Sequence, residues 1–251
     1  MDKYTLKTIF ERSFSGVIWR IEADTTGKML AIESRALGDG IPAFSAIRYA
    51  DGQMLAEERP YGGRQWTLAG IADGCILVRA FGEREPNAPG IACLSATTGE
   101  VRWERFNHTF IAMDGGAVRA RPRHIASGYD TYLSVRDGTP QGKPLLSANP
   151  ATQAAIELPA QSSVTDGISA SYAVEGAVHR LAFGDKEARA FHVADGDGFA
   201  VKLIISQQLL VLEERTIMRG MAKMSPEIFF AIGRQLFFID GNKEKIVSYL
   251  V

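Results

Sequence analysis

The stretch "ACLSATTGEVRWERF", Ala92 to Phe106, holds two short apolar runs around a Thr98-Gly99 turn. Runs of this length joined by a tight turn read as a β-hairpin. Glycine takes a positive φ there without a Cβ clash, and Thr or Asp just before it hydrogen-bonds the turn backbone. Worn copies of the phrase recur as "ADTTGKMLAIE" from Ala23, "YADGQMLAEERP" from Tyr49, "NPATQAAIELP" from Asn149, "VADGDGFAVKLI" from Val193 and "IDGNKEKIVSYL" from Ile239. Taking Gly52, Gly99, Gln153, Gly196 and Gly241 as marks, the intervals are 47, 54, 43 and 45 residues. The longest interval contains the Arg/Pro/Gly-rich stretch from Arg119 to Lys143, where a long loop is easily placed. Gly27 stands about half a period before Gly52.

A period of 40–50 residues with several strands per repeat is the pattern of propeller blades. The expectation is an all-β chain, residues 1–251 forming a single β-propeller domain of four-stranded antiparallel blades. Five blades are favoured. Six are the alternative, because Gly27 could mark a blade of its own. Blade one takes Val17–Ala23, Met29–Ser34, Phe44–Tyr49 and Met54–Glu58. Blade two takes Trp66–Ile71, Cys75–Phe81, Ile91–Ser95 and Val101–Phe106. Blade three runs from Thr109 to Leu158, blade four from Ile168 to Ile205 and blade five from Gln208 to Val251, with Tyr4–Phe10 as an extra strand closing the ring. Within the last blade, "IFFAIGRQLFFID" from Ile228 to Asp240 reads as a hairpin about Gly233. A helix from Pro226 to Phe238 is the competing reading.

Cys93-Leu94-Ser95 followed by Thr98-Gly99-Glu100-Val101-Arg102-Trp103 resembles the repeat of the quinoprotein-like (PQQ-repeat/WD-like) β-propeller superfamily. That repeat reads roughly apolar, Ala-Leu-Asp, two residues, Thr-Gly-Lys, two residues, Trp. Here Ser95 replaces its Asp, and Ala31 stands at the Trp position of the copy at Ala23. The resemblance implies that Trp103 docks between neighbouring blades. It transfers no activity. Quinone-dependent dehydrogenases of this superfamily bind a tricarboxylate quinone and calcium. This chain offers no export signal, no adjacent cysteine pair and no Glu/Asn/Asp set at calcium-ligand positions, and it is short for such a ring.

The bulk properties are those of an ordinary globular protein: 46% hydrophobic, 23% charged, net charge −1 over 251 residues. A partner made of nucleic acid or anionic membrane usually leaves a basic imprint, so neither is expected. No run of about 18 apolar residues is present, and the N-terminus lacks a signal-peptide core, so a cytoplasmic location is expected. Cys75 and Cys93 form no C-x-x-C pair, and two buried thiols are favoured over a disulfide.

Few residues suggest chemistry. Arg119, Arg121 and Arg123 would share one side of a strand beside His124, and a row of guanidinium forks suits a carboxylate, a phosphate or an acidic partner. Pro122 makes that segment an edge strand or a loop, and a solvated stretch paired with nearby acids is the plainer reading. Asp195-Gly196-Asp197-Gly198 reads as a hairpin turn rather than a calcium loop, since Phe199, Ala200 and Val201 come next. "SSVTDG" from Ser162 reads as a loop. The histidines, His108, His124, His179 and His192, are read as scattered rather than as a metal set. Trp19, alternating with Val17 and Ile21, is expected in the core. Trp66 is favoured for the core over an exposed place beside Tyr61. No catalytic, cofactor or metal residue is assigned.

Two functions fit these features. The preferred one is a non-enzymatic module binding a protein or a small ligand, marked by an exposed aromatic or arginine patch. The alternative is a lyase or hydrolase with its site at the central channel. A cofactor-binding sensor takes a distant third place.

Overall fold

The computed structural model describes residues 4–81, 88, 90–114, 116–123, 129–144, 156–163, 172–208 and 210–251. Strands dominate from the first described residues onward. β1 (Lys7–Ser13) is followed by β2 (Val17–Asp24), β3 (Met29–Arg35), β4 (Pro42–Arg48) and β5 (Gln53–Pro60), and β2 to β5 form one antiparallel sheet in sequence order. A second sheet is β6 (Trp66–Ala72), β7 (Cys75–Ala80), β8 (Ile91–Ser95) and β9 (Val101–Arg105). The third is β10 (His108–Asp114), β11 (Ala117–Pro122), β12 (Thr131–Ser134) and β13 (Pro140–Gln141). Five strands make the fourth sheet: β14 (Ala160–Ser162), β15 (Val174–Phe183), β16 (Lys186–Asp195), β17 (Gly198–Gln207) and β18 (Leu210–Met221). The last is β19 (Phe229–Ile232), β20 (Gln235–Ile239) and β21 (Lys245–Leu250), with β1 paired antiparallel to β21. These sheets are the five blades of a β-propeller.

Interior strands differ from outer ones for a physical reason. β7 and β8, "CILVRA" and "IACLS", are buried almost throughout. Apolar side chains cover both faces, packing with the first sheet in one core and with the third sheet in another. The outer strand β9 buries only Trp103 and leaves Val101, Arg102 and Glu104 exposed.

The chain divides into two compact units, Phe14–Gln153 and Met1–Ser13 with Ala154–Val251. The first unit contains blades one to three, each a four-stranded sheet. Blades one and two lie close to their expected bounds, whereas the described strands of blade three, expected to run to Leu158, end at Gln141. Blade three is marked by Gly138 rather than by Gln153, which lies outside the described residues. Gly99 N–H donates to Ser95 C=O at 2.8 Å, and Gly138 N–H donates to Ser134 C=O at 2.9 Å, both with φ near +70° (73° and 68°). Gly27 lies in the turn between β2 and β3, so it marks no blade, and the six-blade alternative falls with it.

In the second unit the phase of the marks changes. Gly52, Gly99 and Gly138 sit between the third and fourth strands of their sheets. Gly196 and Gly241 precede β17 and β21, each of which has one more strand beyond it. Counting back from those marks therefore misplaces β18. Expected in blade five, it instead pairs with β17 along Phe199↔Met221 to Gln207↔Leu210. The fourth strand of blade five is β1, which reaches Ser13 rather than ending at Phe10. The hairpin reading of Ile228–Asp240 holds, with Phe229↔Phe238 to Ile232↔Gln235 in register about Gly233.

Candidate functional site

Trp19 departs from its expected place. It is 63% exposed, because the β2–β3 register runs Ile18↔Ser34 and then Arg20↔Glu33. Trp19 is the extra residue of a β-bulge, which breaks the alternation that would have turned it inward. Its indole lies over the Arg35 guanidinium, 5.2 Å from ring centroid to Cζ, and the Phe81 ring lies 5.7 Å from the same carbon. Four hydrogen bonds hold Arg35: Nε donates to Glu33 Oε1 at 2.7 Å, Nη1 to the carbonyls of Gly40 and Arg64, and Nη2 to the Trp66 carbonyl at 2.7 Å. Glu33 has no exposed surface, and its second oxygen accepts from Thr67 Oγ1 and Leu68 N–H, both at 2.7 Å. The loop from 36 to 41 beside this knot exposes Leu37 (82%) and Ile41 (39%). Arg64 Nε donates to the Asp39 carbonyl. Trp19 thus stands exposed against an Arg35 that four hydrogen bonds fix, and Leu37 and Ile41 are exposed in the loop whose Gly40 carbonyl Arg35 binds. Trp66 is buried, edge-on to Tyr61 at 4.8 Å.

The arginine row lies elsewhere in the same unit. β11 pairs with β10 on one side and β12 on the other, so it is an interior strand, and Pro122 is tolerated because it sits at the strand's last position. Arg119 faces Asp114 at 3.2 Å and Asp130 at 3.9 Å, and Arg121 faces Asp130 at 3.0 Å. Two of the three guanidiniums therefore already meet carboxylates. Arg123 lies past the strand end, with its N–H on the Asn107 carbonyl. His124 lies outside the described residues.

No family model matches the chain, and no curated protein matches it in sequence. Among solved structures similar in fold are the following three. BamB from Moraxella catarrhalis aligns with 98% of this chain and 100% of its own at 10% identity, with a TM-score of 0.35. A europium-containing methanol dehydrogenase aligns over 96% of this chain and 52% of its own at 9% identity, TM-score 0.33. An endo-arabinase from Bacteroides thetaiotaomicron aligns over 96% and 94% at 12% identity, TM-score 0.28. The likeness is one of fold. At such identities it carries no activity, substrate or partner to this chain.

In the other unit, a cavity of about 430 Å³ opens between the β15–β16 turn and the β19–β20 turn, within the size range of small-molecule sites. Lys186 and Arg234 line it, with Asp185 and Glu157 as the acids and Phe183 as an apolar wall. Asp185 accepts from the Gln207 amide at 2.6 Å, and Lys186 lies 4.5 Å from the Tyr4 ring. Mixed charges of this kind suit a small zwitterion or anion. They include no nucleophile poised beside a base. Among the described residues no group of three or more His, Cys, Asp or Glu could hold a metal ion.

Two histidines expected to be scattered meet on one hairpin. His179 on β15 and His192 on β16 are buried, and burial lowers both pKa values. The charge of His179 lowers His192 further, whereas Glu227 opposes the shift at His179. His192 Nε2 accepts the Ser225 N–H at 3.1 Å, which assigns the neutral ring with its proton on Nδ1. Protonating Nε2 breaks that bond. The unfolded chain, titrating at about 6.5, binds more protons than the folded one just below that value, so stability is greatest above it and falls as pH drops. Thermal midpoints measured from pH 7.5 down to 5 should decline in the wild type and decline less in His192→Gln, whose amide oxygen still accepts from Ser225. Parallel curves would remove His192 from the account.

Proposed function

We propose that this chain is a non-enzymatic binding module that docks a protein on the surface made by Trp19, Leu37 and Ile41. The observation that carries the reading is the exposed Trp19 indole, held over an immobilised Arg35, with Leu37 exposed in the loop whose Gly40 carbonyl Arg35 binds. An exposed apolar patch marks interaction sites, and Trp and Arg are the residues that dominate binding energy at protein interfaces. Pre-fixing Arg35 lowers the ordering cost of binding. A cytoplasmic setting belongs to the same reading.

The test places a photo-crosslinking residue at position 37 and, as a control on a different blade, at Leu210, which is also exposed at 66%. A protein crosslinked from position 37, not from 210, and lost in Trp19→Ala supports the reading. The same products from both positions, or a product that survives Trp19→Ala undiminished, overturns it.

A further inference from the structure

Cys75 and Cys93 lie on neighbouring strands of blade two. The β7–β8 register pairs Cys75 with Ser95 and Leu77 with Cys93, so both cysteines share one face of the sheet as diagonal neighbours. They pack in the same core, and neither has exposed surface. On the next strand the register runs Cys93↔Trp103 and then Leu94↔Val101. Arg102 is therefore the extra residue of a β-bulge. Bulges re-aim side chains, and this one sends Arg102 Nη1 to within 3.0 Å of Cys75 Sγ, two strands away. Arg102 is itself exposed, so the guanidinium that meets the buried Cys75 sulfur belongs to a side chain that reaches solvent.

A guanidinium is permanently charged and only donates, so its contact favours sulfur in the thiolate form. The Cys93 thiol adds a second donor. It is the largest influence drawing the Cys75 pKa down, to about 7, with burial opposing and the Arg102 charge assisting. Cys93 is pushed up by the same hydrogen bond and by burial. The pair is thus asymmetric, with the Arg102 guanidinium in contact with the Cys75 sulfur.

We infer that Cys75 is an oxidation site for small hydroperoxides, with Arg102 and Cys93 as its positioning residues. The Cys75 thiolate attacks one oxygen of hydrogen peroxide and the O–O bond breaks. Sulfur gives up two electrons, and the departing hydroxide takes a proton to become water. The product is a sulfenic acid at Cys75. The register restricts its fate. Diagonal partners stand about 7–8 Å apart, beyond the ordinary Cα separation of a disulfide, so the sulfenic acid persists rather than closing onto Cys93.

The experiment treats the folded chain at pH 7 with hydrogen peroxide and a dimedone-type trap, then maps the adduct by peptide mass spectrometry. The expected result is an adduct on Cys75 and not on Cys93, formed faster than in the urea-unfolded chain. Arg102→Gln should slow it about tenfold, the equivalent of one pKa unit, with Arg102→Lys retaining most of the rate and the melting temperature unchanged in both. The alkylation rate of Cys75 against pH should have its midpoint below the ordinary thiol value and move up in Arg102→Gln, which a merely structural role for Arg102 would not produce. An adduct mapping to Cys93, a product two hydrogens lighter in place of one an oxygen heavier, or a folded chain slower than the unfolded one overturns the inference without recourse to any variant.

Discussion

Glu33→Ala is expected to cost about 3–5 kcal/mol of stability, the range found when one member of a buried ion pair is removed. The carboxylate has no exposed surface and satisfies three donors at 2.7 Å: Arg35 Nε, Thr67 Oγ1 and Leu68 N–H. Removing it leaves a guanidinium whose side chain is only 12% exposed, facing a cavity, along with two donors from β6 that lack an acceptor. Glu33→Gln should cost less, since one amide oxygen can still accept from β6. Urea denaturation midpoints of both variants, with Arg35→Met and the double variant, complete a cycle in which the two residues should couple. A Glu33→Ala midpoint within about 0.5 kcal/mol of wild type, or additive single effects, would show that the pair does not join β3 to β6. The same change bears on function, because Arg35 is the cation beneath Trp19. Without Glu33 it keeps its bonds to the Gly40, Arg64 and Trp66 carbonyls but loses its only carboxylate partner, so the indole is held less firmly and the crosslink from position 37 should weaken along with stability.

How far the sequence discloses this arrangement depends on the range of each interaction. The hairpins of blades one and two are legible because turn chemistry and apolar runs are local, and both lie within a dozen residues of their glycine. The phase change at Gly196 is not. An Asp-Gly turn serves any tight hairpin, and nothing in "VADGDG" says how many strands lie beyond it. Trp19 defeats the alternation rule because period two assumes an unbroken ladder, and the bulge beside Ile18 leaves no compositional trace. Glu33 at the end of "MLAIE" carries one local hint, Arg35 two residues later on the same face. Its other partners, Thr67 and Leu68, come from the next blade. Arg102 and Cys75 are likewise joined only by the fold, through a bulge that alternation along "VRWER" would have denied. The surface around Arg35 therefore rests on non-local contacts, each invisible until the strands are placed.

The contrast between two tryptophans gives the second large effect. Trp103→Ala is expected to cost about 3–5 kcal/mol, whereas Trp19→Ala should stay within about 1 kcal/mol, the scale of an exposed cation–π contact. Trp103 is 7% exposed, and its indole N–H donates to the Val135 carbonyl at 2.8 Å, on the strand-connecting turn of the next sheet. Gly138 in that turn comes so close that a Cβ there would lie 2.7 Å from the ring. Arg105 reinforces the joint by donating from Nε and Nη2 to the Gly138 carbonyl at 3.2 and 3.0 Å. Trp103→Phe keeps much of the apolar area but leaves the Val135 carbonyl without its donor, so an intermediate loss is expected. Gly138→Ala is itself destabilising, through its φ of +68° and through the indole. In the Trp103→Ala background the second cause disappears. The double variant should then cost measurably less than the sum of the singles, and strict additivity in urea midpoints would mean that the ring does not press on the turn.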